Sequence, residues 1–192
     1  MPVTLIAGCG PGGCLAEPQI LAVVNGASFQ PGGAPRAIMT IFGTGLSDGV
    51  YQNTTNSLPT QLGPTTVTVN GLPAPLFYVG PTQINFQIPS GIAATHVQVV
   101  VINQAVAGSR ASNASPEYTA ALTGVDPGLF VTPDKRASAL NGDLSPHTPA
   151  TPVPAGGYII LFTTGEGSVA PPVADGVPAP SSRCRSSTRR YK

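Results

Sequence analysis

Along residues 65–69 (TTVTV) polar and apolar side chains alternate, and the same rhythm returns at 82–88 (TQINFQI) and 95–103 (THVQVVVIN). A period of two sends successive side chains to opposite faces of an extended strand. The pattern predicts Ile84, Phe86 and Ile88 facing a core and Gln83, Asn85 and Gln87 facing water. It also puts Val97, Val99 and Val101 on one shared face. Apolar runs at 19–24 (QILAVV), 37–42 (AIMTIF), 76–79 (LFYV), 117–122 and 129–131 predict further strands. Turn residues punctuate them: Asn25-Gly26, residues 30–33 (QPGG), Gly43-Thr44-Gly45, Pro81, Pro89 and Asp126-Pro127-Gly128. Asn70-Gly71, both tolerant of positive φ, predicts a hairpin returning residues 76–79 against 65–69. Residues 47–64, rich in Ser, Thr, Asn, Gly and Pro, read as loop or ragged edge.

No stretch of a dozen residues carries a 3.6-residue rhythm, and composition agrees. With 23 Gly and 22 Pro among 192 residues, long helices are excluded, because neither residue sits well in a helix interior. No run approaches the roughly 18 apolar residues of a membrane-spanning helix. Charged residues make up 9%, well under the roughly 25% of ordinary soluble domains, yet the hydrophobic share of 41% is enough for a packed core. The expectation is an all-β chain: an immunoglobulin-like β-sandwich over residues 18–131, followed by an incomplete second β module. The Cys…Trp…Cys signature of antibody domains is missing, since the chain has no Trp and no Cys between residues 15 and 183. The sandwich must therefore hold by apolar burial alone.

The second module is read from an internal repeat. Asn25-Gly26, then residues 35–45 (PRAIMTIFGTG), is echoed by Asn141-Gly142, then residues 155–165 (AGGYIILFTTG). The Asn-Gly pairs lie 116 positions apart and the closing glycines 120, so a loop four residues longer separates the copies. The echo runs on through residues 168–180 without counterparts of the strands at 65–79, 84–88 and 95–103. The division expected is a disordered or poorly ordered segment at 1–17, a first module at 18–131, a truncated second module at 132–180 and a disordered basic tail at 181–192.

Charge is uneven along this division. Arg36, Arg110, Lys135 and Arg136 face eight acids before residue 181, and Arg183, Arg185, Arg189, Arg190 and Lys192 come after it. The tail lacks the interleaved aromatics and fold context of a nucleic-acid binder, so it reads as a solvated end or a foreign reading frame. Cys9, Cys14 and Cys184 are an odd number. A Cys9–Cys14 loop is open to an oxidising compartment; unpaired thiols are the simpler reading. Ile6-Ala7-Gly8-Cys9 has the form of a lipoprotein cleavage box, but no Lys or Arg precedes it and its apolar run is shorter than the roughly 7–15 residues of a signal.

Candidate chemistry is sparse. Residues 45–49 (GLSDG) satisfy G-x-S-x-G, which makes Ser47 a candidate nucleophile with Asp126 or Asp134 and His147 as partners. A nucleophile elbow needs a helix after the serine, and residues 50–60 make a poor one. Asp134, Asn141 and Asp143 offer oxygens to a calcium ion without the spacing of a dedicated calcium loop. His96 and His147 stand apart from other ligand types and read as surface histidines. Residues 53–55 and 113–115 match the N-glycosylation sequon. The Thr, Asn and Gln of the wet strand faces, with Tyr51 and Tyr78, are suited to contacting sugars.

Taken together, residues 23–35 (VVNGASFQPGGAP), 59–89 (PTQLGPTTVTVNGLPAPLFYVGPTQINFQIP), 126–130 (DPGLF) and the second FTTGEG closely resemble the uncharacterised C-terminal domain common in Solibacter and related acidobacteria, itself similar to IPT/TIG modules. That resemblance, over roughly residues 18–180, implies an extracellular or cell-surface β-sandwich pair belonging to a larger multidomain protein, with no catalytic, cofactor-binding or metal residues to carry over. The function expected is non-enzymatic: a spacer, anchor or adhesion module whose partner is a cell-surface glycan or protein, with no nucleic acid, no cofactor and no membrane span. The alternatives are a small serine hydrolase using Ser47 and a nonfunctional gene fragment.

Overall fold

The computed structural model describes residues 17–104, 112–169 and 172–178. Among them the chain is all-β, with no helix. In chain order the strands are β1 (Gln19–Asn25), β2 (Ile38–Thr44), β3 (Tyr51–Gln52), β4 (Gln61–Leu62), β5 (Thr65–Val69), β6 (Leu72–Pro73), β7 (Leu76–Val79) and β8 (Gln83–Gln87). They continue as β9 (His96–Gln104), β10 (Ser112–Ala114), β11 (Tyr118–Ala121), β12 (Gly128–Leu129), β13 (Ala139–Asn141), β14 (Ile159–Leu161) and β15 (Thr163–Thr164).

Two antiparallel sheets form the larger part. One runs β1-β2-β8-β7-β3; the other runs β10-β9-β5-β4, with β11 also pairing β9 and β6 also pairing β5. Each sheet turns an aliphatic face inward. Met39 and Ile41 of β2, Leu76 and Val79 of β7, and Ile84 and Phe86 of β8 meet Val67 and Val69 of β5 and Val97, Val99 and Val101 of β9, all inaccessible to solvent or nearly so. The alternation read from residues 83–88 and 95–103 is thus realised: Ile84, Phe86 and Ile88 are buried, and the amides between them look outward. The core holds with no sulfur bridge because these branched and aromatic side chains carry no polar atom that needs a partner.

One expectation is corrected. Asn70 and Gly71 do form the turn, with φ of 50° and 79°. The strand they return is β6, with Val69 opposite Leu72 and Thr68 opposite Pro73. Residues 76–79 cross to the other sheet, where β7 pairs β8 and β3. Proline is the cause: Pro73 and Pro75 have no N–H, so the β5 ladder closes with Ala74 N–H donating to Val67 O and goes no further. Residues 47–64, read as loop, also contribute the two-residue strands β3 and β4.

Two strand pairs carry the segments compared above, and their registers can be set side by side. β13 and β14 pair with Asn141 opposite Ile159 and Ala139 opposite Leu161. β1 and β2 pair with Asn25 opposite Met39 and Val23 opposite Ile41. Those are the same positions shifted by 116 on one strand and 120 on the other. The turns that follow Asn25 and Asn141 differ in length by one residue. Asn25 N–H donates to Gln30 O and Phe29 N–H to Asn25 O; Asn141 N–H donates to Ser145 O and Leu144 N–H to Asn141 O. Phe29 and Leu144 both take positive φ, at 55° and 68°. A Cβ on Gly26 would strike Ile38, and one on Gly142 would strike its counterpart Tyr158.

The two parts are joined by side-chain and backbone bonds. β12 pairs β15, Asp126 N–H donates to Gly165 O over 2.8 Å, and Ile38 N–H donates to Thr164 Oγ1 over 2.7 Å. Buried Asn25 donates through Nδ2 to Asp126 O and accepts through Oδ1 from the N–H groups of Ala27 and Ser28. The segment expected at 1–17 lies, save for Glu17, outside the described residues, as do Cys9, Cys14, the Ile6–Cys9 box, the 181–192 tail and the side chain of Asn113.

Candidate functional site

The outer face of the β7–β8 part of the first sheet forms an open trough of about 740 Å³. Its floor is the wet row of β8: Gln83, Asn85 and Gln87. Its wall is Gln52 of β3 and the loop after it, with Asn53 and Asn56. Its aromatic part is Phe77 and Tyr78 on β7.

Both aromatic residues line the trough because of a β-bulge. Leu76 lies opposite Phe86 and Tyr78 opposite Asn85, so Phe77 is the extra residue between them. Strict alternation would send Phe77 and Tyr78 to opposite faces. The bulge lets Leu76 and Val79 both face the core and leaves Phe77 and Tyr78 both half-buried on the trough side. A residue pair re-aimed by a bulge is invisible to a period-two reading, so sequence reasoning singled out Tyr78 and missed Phe77.

A remote segment closes one end. Gly176 N–H donates to Gln87 Oε1 over 2.7 Å, and Leu58 N–H donates to Gly176 O over 2.8 Å. Asp175 accepts through Oδ2 from the Ser90 N–H and hydroxyl, at 2.9 and 3.1 Å. Arg36 Nη1 stands 3.4 Å from Asp175 Oδ1, an ion pair without hydrogen-bond geometry, since that buried oxygen has no hydrogen-bond partner. Arg36 also donates to Ala174 O. These bonds hold Gly176, Val177 and Pro178 against the amide row.

Among the described residues that line the trough, the Tyr78 phenol is the only ionisable group. Asn85 Oδ1 is already engaged by the Thr40 hydroxyl at 3.1 Å and by Gln83 Nε2 at 2.9 Å, which leaves the Asn85 Nδ2 donors and the Gln83 Oε1 acceptor for a guest. Asn53 is turned on its own loop, donating to Thr55 O at 2.7 Å and accepting from the Thr55 hydroxyl. Amide donors and acceptors beside two ring surfaces are equipment for binding a neutral polar molecule.

The other candidates separate. Tyr51 lies outside the trough: its ring packs on Gly63 and its hydroxyl donates to Asp48 Oδ1 at 3.1 Å, a bond to a carboxylate that raises the phenol's pKa. Ser47 is buried in the loop between β2 and β3, its hydroxyl directed to Asp48 and approached by Gly49 N–H. The next element along the chain is β3, with no helix between. Asp126 accepts from Asn25, Asp134 accepts from Thr132 and forms an ion pair with Arg136 at 3.0 Å, and His147 Nδ1 lies 2.8 Å from Asn141 Oδ1. None of the proposed triad members is a hydrogen-bond partner of another. The oxygens of Asp134 and Asp143 likewise serve their own turns. The Thr132 hydroxyl holds the Asp134 carboxyl below the usual carboxylate range, and the Ser145 hydroxyl, then its N–H, does the same for Asp143. Among the described residues no three His, Cys, Asp or Glu side chains gather as a metal site would require. His96 is exposed at the start of β9.

Comparison with family models, curated proteins and solved structures finds no match to the chain.

Proposed function

We propose that the chain is a non-enzymatic β-sandwich module of a bacterial surface or secreted protein, and that its β7–β8 trough binds a neutral cell-surface glycan. The observation that carries the reading is that the bulge sets both Phe77 and Tyr78 on the trough beside an amide row, with no charged side chain among the described lining residues. A pyranose presents both complements: a C–H face for a ring and hydroxyls for carboxamides, which donate and accept at once. The trough's size falls in the roughly 300–1,000 Å³ range of small-ligand sites. The Solibacter-type resemblance of residues 18–180 supports the extracellular setting and the immunoglobulin-like assignment.

The test is titration of the isotope-labelled chain with neutral cell-wall and capsular oligosaccharides. The expected result is saturable shifts at Gln83, Asn85 and Tyr78, with binding weakened about tenfold, or ~1.4 kcal/mol, in Tyr78→Ala and unchanged in Tyr51→Phe. If no glycan moves the trough amides, the binding role falls and a spacer or anchor remains.

A further inference from the structure

One end of the trough is filled by the chain itself. Gln83, Asn85 and Gln87 repeat along about 13 Å of β8, at about 3.3 Å per residue. At the first two, the Gln83 Oε1 acceptor and the Asn85 Nδ2 donors are open to a guest. At Gln87 both side-chain atoms are taken: Oε1 accepts from Gly176 N–H at 2.7 Å, and Nε2 donates to Arg36 O at 3.4 Å. Val177 and Pro178 line the trough beside it.

The hold on this segment is polar. Asp175 Oδ2 accepts from the Ser90 N–H and hydroxyl, Leu58 N–H donates to Gly176 O, and Arg36 reaches Asp175 and Ala174 O. Among the described residues the core takes no side chain from 172–178, and Val177 is 48% exposed. Asp175 Oδ1 is buried without a hydrogen-bond partner, an unmet need that opening the segment would return to water. Solvent-side bonds with little apolar burial mark the parts of a fold that open locally. The seat is also narrow. Gly176 has a φ of 70°, and a Cβ there would stand 3.0 Å from Leu58 O and 3.1 Å from Pro75 Cβ.

We propose that residues 174–178 are an autoinhibitory strap: they occupy a further subsite at Gln87, and a neutral glycan long enough to pass Asn85 displaces them. The proposal rests on the glycan-binding reading of the trough. A sugar hydroxyl donates to a carboxamide oxygen as the Gly176 N–H does, so displacement exchanges one bond at Gln87 for another of the same kind. A guest confined to Gln83 and Asn85 never meets the strap. The strap therefore sets the length of guest that binds well. Affinity for a long guest falls by the fraction of time the subsite is uncovered, about tenfold when it is covered about nine-tenths of the time.

The test compares cellobiose with cellohexaose, neutral glucans of two lengths, on three full-length isotope-labelled chains. These are the native chain, Asp175→Ala, which removes the Ser90 and Arg36 anchors, and Gly176→Ala, which crowds the seat. Without sugar, both substitutions should speed amide exchange at Leu58 and at position 176, with the unfolding midpoint unchanged because the core is untouched. In the native chain, cellohexaose should speed exchange at the same two amides and cellobiose should not. Both substitutions should tighten cellohexaose binding about tenfold and leave cellobiose binding as it was. Weaker cellohexaose binding in both substituted chains, or slower Gly176 exchange when it binds, makes the segment a fixed wall of the site and overturns the proposal. Shifts at Gln83 and Tyr78 with no gain for the longer sugar in either substituted chain overturn it too, and leave the glycan reading standing. No shift at Gln83 or Tyr78 with either sugar in any chain removes glucan binding and the strap's proposed competitor together.

Discussion

Ile41→Ala and Leu161→Ala delete the same number of carbon atoms from two antiparallel strand pairs, opposite Val23 in one and Ala139 in the other, yet the structure assigns them different costs. Each removes three methyl or methylene groups, at about 0.8 kcal/mol per buried group. Ile41 is fully buried between β1 and β8, so its transfer loss is about 2.4 kcal/mol. A cavity is left as well, and the total is expected at about 2–5 kcal/mol. Leu161 is 44% exposed, so little more than half the transfer loss applies, a ceiling of about 1.3 kcal/mol. No cavity forms, because solvent already reaches the site. Met39→Ala against Ile159→Ala should repeat the ordering. The assay is urea unfolding followed by tyrosine fluorescence and circular dichroism, convenient because the chain has five Tyr and no Trp. The midpoint should move clearly for Ile41→Ala and little for Leu161→Ala, at constant slope. Equal losses would show that the β13–β14 pair is covered as fully as the β1–β2 pair, and the reasoning from the exposure of Leu161 would fail.

Two further outcomes are expected. Asn25→Ala strips the buried Ala27 N–H and the Asp126 carbonyl of their partner and should cost about 2–4 kcal/mol in the same assay, with residues 126–128 losing amide-exchange protection first; an effect under about 0.5 kcal/mol refutes it. The Asp143 carboxyl, held low by the Ser145 hydroxyl and N–H, contributes stability that is fully present above its unfolded pKa of about 3.9 and is lost as pH falls through the lower folded value. Asp143→Asn should therefore flatten the stability profile only on the acid side of about pH 4, and a change in the profile's slope confined to neutral pH would contradict the assignment.

Local rules made much of the fold legible. Strand alternation at 83–88 and 95–103 and the positive φ of Asn70-Gly71 depend on neighbours within a few residues, so the residue order carries them. Cross-chain choices were not legible in the same way. Residues 65–69 take β6 and β9 as partners and lose residues 76–79 to the other sheet, because two prolines end one ladder while the second sheet offers Leu76 and Val79 a buried face.

The amide row of the candidate site could be read from the sequence, since it is the wet face of an alternating strand. Its aromatic pair could not, because a bulge shifts phase by one residue and nothing local marks the shift at Phe77. Its closing segment could not either: Asp175 and Gly176 reach Ser90 and Gln87 across 85 and 89 residues. By itself the residue order determined which side chains prefer water and where the backbone can turn, because those are properties of each residue and its immediate neighbours. Only the tertiary structure decided which strands meet, which ring shares a face with which amide, and which strand pair is buried on both sides, because those depend on surfaces that come together after the chain has folded.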